Sequence, residues 1–261
     1  MAKFLQFKKG KAEDIASQNV VVGRTEHQED ITMRLAALTS NQREAEVTKG
    51  SYEGGLKIWE CTRDLMGALW TKSASAPEEL KGARVLDMGC GQGVLGVWCL
   101  RHGASVCFQD LNQEVLETVT SANISLNLEE DVGGIDDERV SLVCGTWGDL
   151  PVLLESSGLA GAFSLVVSSE SLYREEDFEA VYAVLDCCLG PKGQALLASK
   201  KFYFGVGGGT SSFLRYVRDR RSGGGTLDAQ VWRSFEDTKS NVREILQVTR
   251  EPPVVHEPSQ P

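Results

Sequence analysis

The residues with the clearest chemistry stand at Val85-Leu86-Asp87-Met88-Gly89-Cys90-Gly91-Gln92-Gly93. An apolar run ends around an acid, and three glycines at alternate positions follow. Such glycines let a backbone turn sharply against a ligand. A helix starting after them offers unpaired N–H groups. The stretch contains Gly91-x-Gly93-x-x-Gly96, a pattern that suits a dinucleotide pyrophosphate. Asp110 lies where an acid can accept hydrogen bonds from a ribose. Asp87 separates two ligand classes. An acid ahead of the glycines suits the cationic methionine end of S-adenosylmethionine, and sits poorly beside an anionic pyrophosphate. A nicotinamide oxidoreductase and a glycine loop without a ligand are the weaker readings.

Other chemistry-bearing residues follow later apolar runs. Gln109-Asp110 ends the second. The carboxylate can also serve the dipole of the following helix. Gly145-Thr146-Trp147 follows the third, and its indole offers either a stacking face for adenine or core filling. Ser168-Ser169-Glu170-Ser171-Leu172-Tyr173 ends the fourth, where Glu170 is a candidate site acid or a loop acid paired with Arg174 or Lys200. Four glycines in Gly205-Val206-Gly207-Gly208-Gly209 exclude a helix or strand interior. They suit close approach of a substrate backbone, or a hinge. Three histidines, seven cysteines and no C-x-x-C pair argue against a zinc site. Reduced cysteines in a cytosolic or nuclear protein are the simpler reading.

A repeating strand–turn–helix pattern positions these residues. The sequence predicts strands over 83–88, 105–109, 140–144, 163–168 and 194–199. It predicts helices over 94–102, 112–126, 150–154, 178–189 and 210–220. Two alternating segments, 229–235 and 242–248, read as a closing antiparallel pair. The expected fold is α/β: a Rossmann-like seven-strand sheet with helices on both faces and a C-terminal antiparallel hairpin. Residues 1–48 read as an arm, partly disordered, though Ile31, Leu35 and Leu38 allow a helix within 28–47. The domain is expected over 49–250, with both arm and tail dispensable for ligand binding. The acidic stretch 129–138 reads as a surface loop, and the proline-rich tail 251–261 as extended.

Composition bounds the function. A hydrophobic fraction of 41% can bury a core, and no apolar run is long enough for a membrane helix. The first fourteen residues lack the apolar region of a secretory signal. A net charge of −10 argues against a general polyanion binder and favours basic partners.

Two further segments are more specific: Ser51–Thr62 (SYEGGLKIWECT) and Leu197–Gly209 (LASKKFYFGVGGG). With LDMGCGQGVLG and FQDLN, they closely resemble the eukaryotic histidine protein methyltransferases. The resemblance covers about residues 49–250. It implies an S-adenosylmethionine-dependent enzyme acting on a histidine of a large-subunit ribosomal protein. A protein-lysine methyltransferase of the same group, or a non-catalytic module binding a ribosomal protein, are the alternatives. It also implies cofactor contacts at Ile58, Trp59, Glu60, Cys61 and Thr62. Gly89, Gln109, Asp110, Leu111, Gly145, Thr146, Trp147 and Ser169 join them, beside Asp87. Glu170 and Tyr173 match an acid and an aromatic that face the acceptor in related enzymes. The implied setting is a monomer in cytoplasm and nucleus, with a basic ribosomal protein as partner and no membrane. Arg215, Arg218, Arg220 and Arg221 form a basic cluster that is usually solvated and could touch ribosomal RNA incidentally.

Overall fold

Three strands open the chain: β1 (Lys3–Leu5), β2 (Ser17–Arg24) and β3 (Asp30–Ala36). They belong to a computed structural model that describes residues 1–7, 9–43, 48, 54–76, 78–128, 137–236 and 242–250. Within 28–47, where a helix is expected, the apolar residues Ile31 and Leu35 lie in a strand, β3, and only a short helix, α1 (Ser40–Arg43), follows it. Ile31 and Leu35 fit both a helical and an alternating period. Met33 fits only the alternating one, and all three are buried.

The expectation of a loosely attached arm is also corrected. β2 and β3 pair antiparallel. Val22, Ile31, Met33 and Leu35 join one core with Leu65, Met66 and Trp98. Two asparagines serve the β3 backbone. Asn123 Oδ1 accepts from Ala36 N–H at 2.7 Å, and Asn127 Nδ2 donates to Arg34 O at 2.7 Å. Both asparagines are buried, so these bonds satisfy groups that would otherwise cost free energy.

The rest follows the predicted alternation. α2 (Glu60–Ser75) leads to β4 (Arg84–Met88), α3 (Val94–Arg101) and β5 (Ser105–Asp110). A π-helical turn, Val115–Thr120, opens the next helix, α4 (Ser121–Leu128). Then come β6 (Val140–Cys144), α5 (Leu150–Ser156), β7 (Phe163–Ser169), α6 (Phe178–Cys188), β8 (Leu189–Lys200), α7 (Thr210–Ser222), β9 (Leu227–Phe235) and β10 (Arg243–Arg250). β8 starts five residues before the predicted Gln194, because Gly190-Pro191 lie inside the strand instead of in a turn.

The main sheet runs β1-β6-β5-β4-β7-β8-β10-β9. β4 to β8 are parallel neighbours, and β10 pairs antiparallel with both β8 and β9. The predicted seven strands and terminal hairpin are present. An eighth strand, β1, pairs antiparallel with the outer edge of β6. Two apolar clusters flank the sheet. Most of the predicted loop 129–138, the turn of the terminal hairpin and the tail 251–261 lie outside the described residues. Among the described residues no helix is long and apolar enough to cross a membrane, and no cluster of side chains is arranged for a metal ion. All seven cysteines are free thiols.

Candidate functional site

A cavity of about 350 Å³ opens at the carboxyl ends of β4, β5 and β7 and the loop after β6. The strand order reverses there, where ligands bind in open α/β sheets. The glycine turn after β4 forms its floor. Gly91 has a left-handed φ of 50°, and a Cβ on it would lie 2.4 Å from Gly55 O. Two backbones thus meet with no room for a side chain. The carboxylate of Asp110 holds the turn: Oδ2 accepts from Gly91 N–H at 2.8 Å and Oδ1 from Asn112 N–H at 3.0 Å.

Gln109 is nearly inaccessible, and both ends of its amide are engaged within the protein. Oε1 accepts from Gly89 N–H and from Trp147 Nε1–H, each at 3.0 Å. Nε2 donates to Gly145 O at 2.8 Å. One side chain therefore ties the glycine turn, the loop after β6 and the Trp147 indole together. Gln109 lines the cavity, as do Gly145, Thr146 and Trp147.

Two acids give the cavity its electrostatic character. Asp87 is buried, and its Oδ2 accepts from Gly96 N–H at 2.8 Å at the start of α3. Burial pushes its carboxyl up to about 7; the Gly96 N–H opposes this and the nearby Asp110 charge adds to it. Burial also raises Asp110, against the N–H groups of Asn112, Gly91 and Leu111. Among the described residues no cation forms an ion pair with either carboxylate. A cavity with two desolvated acids of like charge favours a cationic ligand.

The opposite wall comes from the start of α2. Trp59 stands at its N-terminus, where Nε1 donates to Gly54 O at 3.2 Å, and Lys57 Nζ lies 4.1 Å from the ring centroid. Ile58, Trp59 and Thr62 line the cavity. Thr62 Oγ1 and Ser169 Oγ, 2.8 Å apart, link α2 to the end of β7. Glu60 and Cys61 do not line it, which corrects the expectation for those two positions. Helical rotation sends Cys61 into the core beside Leu65 and leaves Glu60 exposed.

Past β7 the chain bends at Glu170, which has φ of 58°, a left-handed conformation rare outside glycine. Strain of this kind gathers at functional sites. Tyr203 donates its hydroxyl proton to Glu170 Oε2. Lys200 N–H donates to the same phenol oxygen at 3.2 Å, and Ser199 Oγ lies 2.9 Å away. A phenol has one proton, so Ser199 must be the donor to Tyr203. Burial and the neighbouring Glu170 charge raise the phenol well above its ordinary range, so it stays protonated. Burial, with the Glu170 charge adding to it, pushes the Cys61 thiol well above its ordinary range. Glu170 Oε1 is buried with no oxygen or nitrogen partner among the described residues. Arg174 pairs with Asp177 and Glu176 instead of Glu170. Tyr173 lines the cavity, with its ring centroid 6.3 Å from that of Tyr203.

The structure thus brings together Ile58, Trp59, Thr62, Asp87, Gly89, Gln109, Asp110, Leu111, Gly145, Thr146, Trp147, Ser169, Glu170 and Tyr173. Sequence reasoning missed Lys57, Gln92, Ser171, Arg174 and Asp177 on the same walls. It also missed Tyr203 behind Glu170. Gly54-Gly55 carried a legible signal of close approach, whereas the others carry none outside the folded chain. In the basic cluster, Arg215, Arg220 and Arg221 form ion pairs with Glu175, Glu179 and Asp228.

Residues 40–215 match the model of a protein family described as lysine methyltransferase. The chain belongs to that family. Curated relatives of the chain carry either acceptor in their names: those at 31–36% identity are histidine protein methyltransferases, and lysine methyltransferases match at 24–27%. The histidine protein methyltransferase 1 homolog of Dictyostelium discoideum is 34% identical over 200 residues, covering 77% of this chain and 59% of that protein. The Bos taurus homolog of the same name is 35% identical over 195 residues, covering 67% of this chain and 51% of its own length. The chain therefore spans between half and three fifths of the length of these relatives. Their similarity bears out the resemblance read from the two specific segments. A magnesium protoporphyrin IX methyltransferase from Synechocystis, solved with bound SAH, shares the fold at a TM-score of 0.50 and 14% identity. It covers 72% of this chain and 83% of its own.

Proposed function

We propose that this protein transfers a methyl group from S-adenosylmethionine to a ring nitrogen of a histidine in a polypeptide. The observation that carries the reading is Glu170: a residue of the cavity lining, left-handed in its backbone, fixed through Oε2 by Tyr203, with a buried Oε1 that has no oxygen or nitrogen partner among the described residues. The names of the relatives at 34–36% identity, histidine protein methyltransferases, support the acceptor.

The cavity residues fit this cofactor. Asp87 and Asp110 offer buried negative charge to a cationic amino-acid portion and acceptors to ribose hydroxyls. The close contact of Gly91 with Gly55 and the braced Trp147 shape a cradle for a flat base. When bound, S-adenosylmethionine supplies a methyl group on a sulfonium, activated toward an incoming lone pair. The chain then has to orient the acceptor and exclude water. Trp59 and Ile58 close the cavity from the α2 side. Neutral imidazole, with an ordinary pKa of about 6.5, presents a lone pair without a strong base. Glu170 Oε1 accepts the N–H of the nitrogen that does not react. It thereby fixes the tautomer and offsets the positive charge that develops on the ring. A lysine amine, with an ordinary pKa of about 10.4, must first lose a proton. The family description favours lysine as the second reading.

The acceptor we propose is a histidine of a large-subunit ribosomal protein, taken free before RNA buries it, in cytoplasm or nucleus. The net charge of −10 supports a basic partner. The test incubates the purified protein and labelled cofactor with extract from cells lacking it, then analyses the labelled amino acid. Methylhistidine is expected, and methyllysine overturns the acceptor. Glu170→Gln is expected to bind the cofactor normally and turn over at least tenfold more slowly, consistent with losing a charge-assisted hydrogen bond. Undiminished turnover removes Glu170 from the mechanism.

A further inference from the structure

The loop between β8 and α7 presents two opposite faces within three residues. Tyr203 points inward to Glu170. Its neighbours Phe202 and Phe204 point outward, 46% and 88% exposed, and Val206 beyond them is 54% exposed. The exposed apolar side chains of Phe204 and Val206 on one short loop mark an interaction surface.

The loop is held in shape. Tyr203 N–H donates to Gly208 O at 3.1 Å, and Val206 and Gly207 N–H both donate to Tyr203 O at 3.1 and 3.0 Å. Gly209 N–H donates to Leu172 O at 2.7 Å. A Cβ on Gly208 would lie 2.3 Å from the Tyr173 carbonyl carbon, so the glycines press the loop onto the segment that carries Glu170 and Tyr173. Aromatic side chains on a loop fixed in this way lose little entropy on binding.

We infer that Phe204 and Val206 dock the acceptor polypeptide by gripping a large apolar side chain close to the methylated residue. This rests on the function proposed above and adds to it the chemistry of the flanking sequence. Gly208 and Gly209 pack on Leu172 and Tyr173, so the tip adjoins the segment that lines the cavity at Glu170 and Tyr173. Consecutive Cα atoms are about 3.8 Å apart, so Phe204 and Val206, one and three residues from the Glu170 partner Tyr203, lie within about 4 and about 11 Å of it, Cα to Cα. The apolar tip thus meets the acceptor within a few residues of the modified position.

The test uses the full chain, labelled S-adenosylmethionine and a dilution series of extract from cells lacking the protein. Phe204→Ala/Val206→Ala is expected to raise the apparent KM on the order of tenfold or more, from the loss of buried apolar surface. Maximal rate and cofactor Kd are expected to stay within twofold, which also shows that the variant folds. An unchanged apparent KM, or a fall in maximal rate alone, overturns the inference. So does a wild-type dimer that the substitutions dissociate, because the tip then serves a second copy of this chain. Once the labelled residue is mapped, alanine is placed at each apolar neighbour in the acceptor. One replacement should cost the wild type about tenfold and the variant nothing; equal costs in both overturn it. A methyllysine product would correct the histidine reading and leave this comparison intact, whereas no label with wild type would overturn the enzyme reading and the inference together.

Discussion

Replacing Gln109 by methionine removes one amide and leaves the volume nearly unchanged. The structure assigns that amide three hydrogen bonds, to Gly89 N–H, Trp147 Nε1–H and Gly145 O. At about 0.5–1.5 kcal/mol each, their sum is about 1.5–4.5 kcal/mol of stability. The three partners line the cavity, so water partly replaces the amide, and the lower half of that range is expected. The loss also releases the glycine turn and the indole from each other. Ordering them again on binding should weaken S-adenosylmethionine about tenfold, or about 1.4 kcal/mol. Urea unfolding of the ligand-free protein measures the first quantity, and calorimetric titration the second. A stability loss below about 1 kcal/mol would refute the assignment of Gln109 as a brace. Weakened binding with full stability would make it a direct ligand contact instead.

Asp87 should give the ligand-free protein a pH dependence. Burial holds its carboxyl at about 7 against 3.8 in the unfolded chain, so its contribution is complete below the lower value and is lost as pH rises through the upper one. Unfolding free energies from urea titrations should fall by about 1.36 kcal/mol per pH unit between about pH 4 and pH 7 and level off above it, and Asp87→Asn should flatten that slope; equal slopes contradict it. Asp110→Ala should weaken the cofactor about 10- to 150-fold by calorimetry, since a hydrogen bond to a charged acceptor is worth roughly 1.5–3 kcal/mol. A change within threefold would leave Asp110 as a support for the Gly91 turn alone. Leu35→Ala should cost about 2–5 kcal/mol in chemical denaturation, because the side chain is 1% exposed in the main core. A cost under about 1 kcal/mol would return the opening hairpin to the status of an arm.

The legible parts of this protein are those specified within a few residues. Val85–Gly93 announce a strand, a turn and a ligand in nine positions, and Asp110 needs only the next strand. The parallel core was readable because each strand is a short apolar run between turns. β1 was not, since Lys3-Phe4-Leu5 pairs with residues 142–144 far along the chain. β3 was misread because two periodicities coincide at Ile31 and Leu35, and Met33 alone separates them. Glu60 and Cys61 came from a resemblance that marks a segment without saying which side of the helix faces the ligand. Tyr203 stayed hidden because its partner Glu170 is 33 residues away and the two meet only after β7 and β8 pair. Long-range hydrogen bonds leave no local pattern, so they belong to the folded chain alone.

Chain order and sheet order disagree at one edge. β9 is made before β10, yet β10 lies between β8 and β9. A nascent chain that has reached Phe235 therefore carries β9 without its sheet neighbour and β8 with one side bare. That side belongs to a strand with Leu196, Leu197 and Ala198 at its centre, and an open apolar strand edge is a template for pairing with another chain. Translation stalled before Arg243 would yield a ribosome-bound chain that calls for a chaperone. Completion of Arg243–Arg250 closes β8 and gives β9 its place in one step.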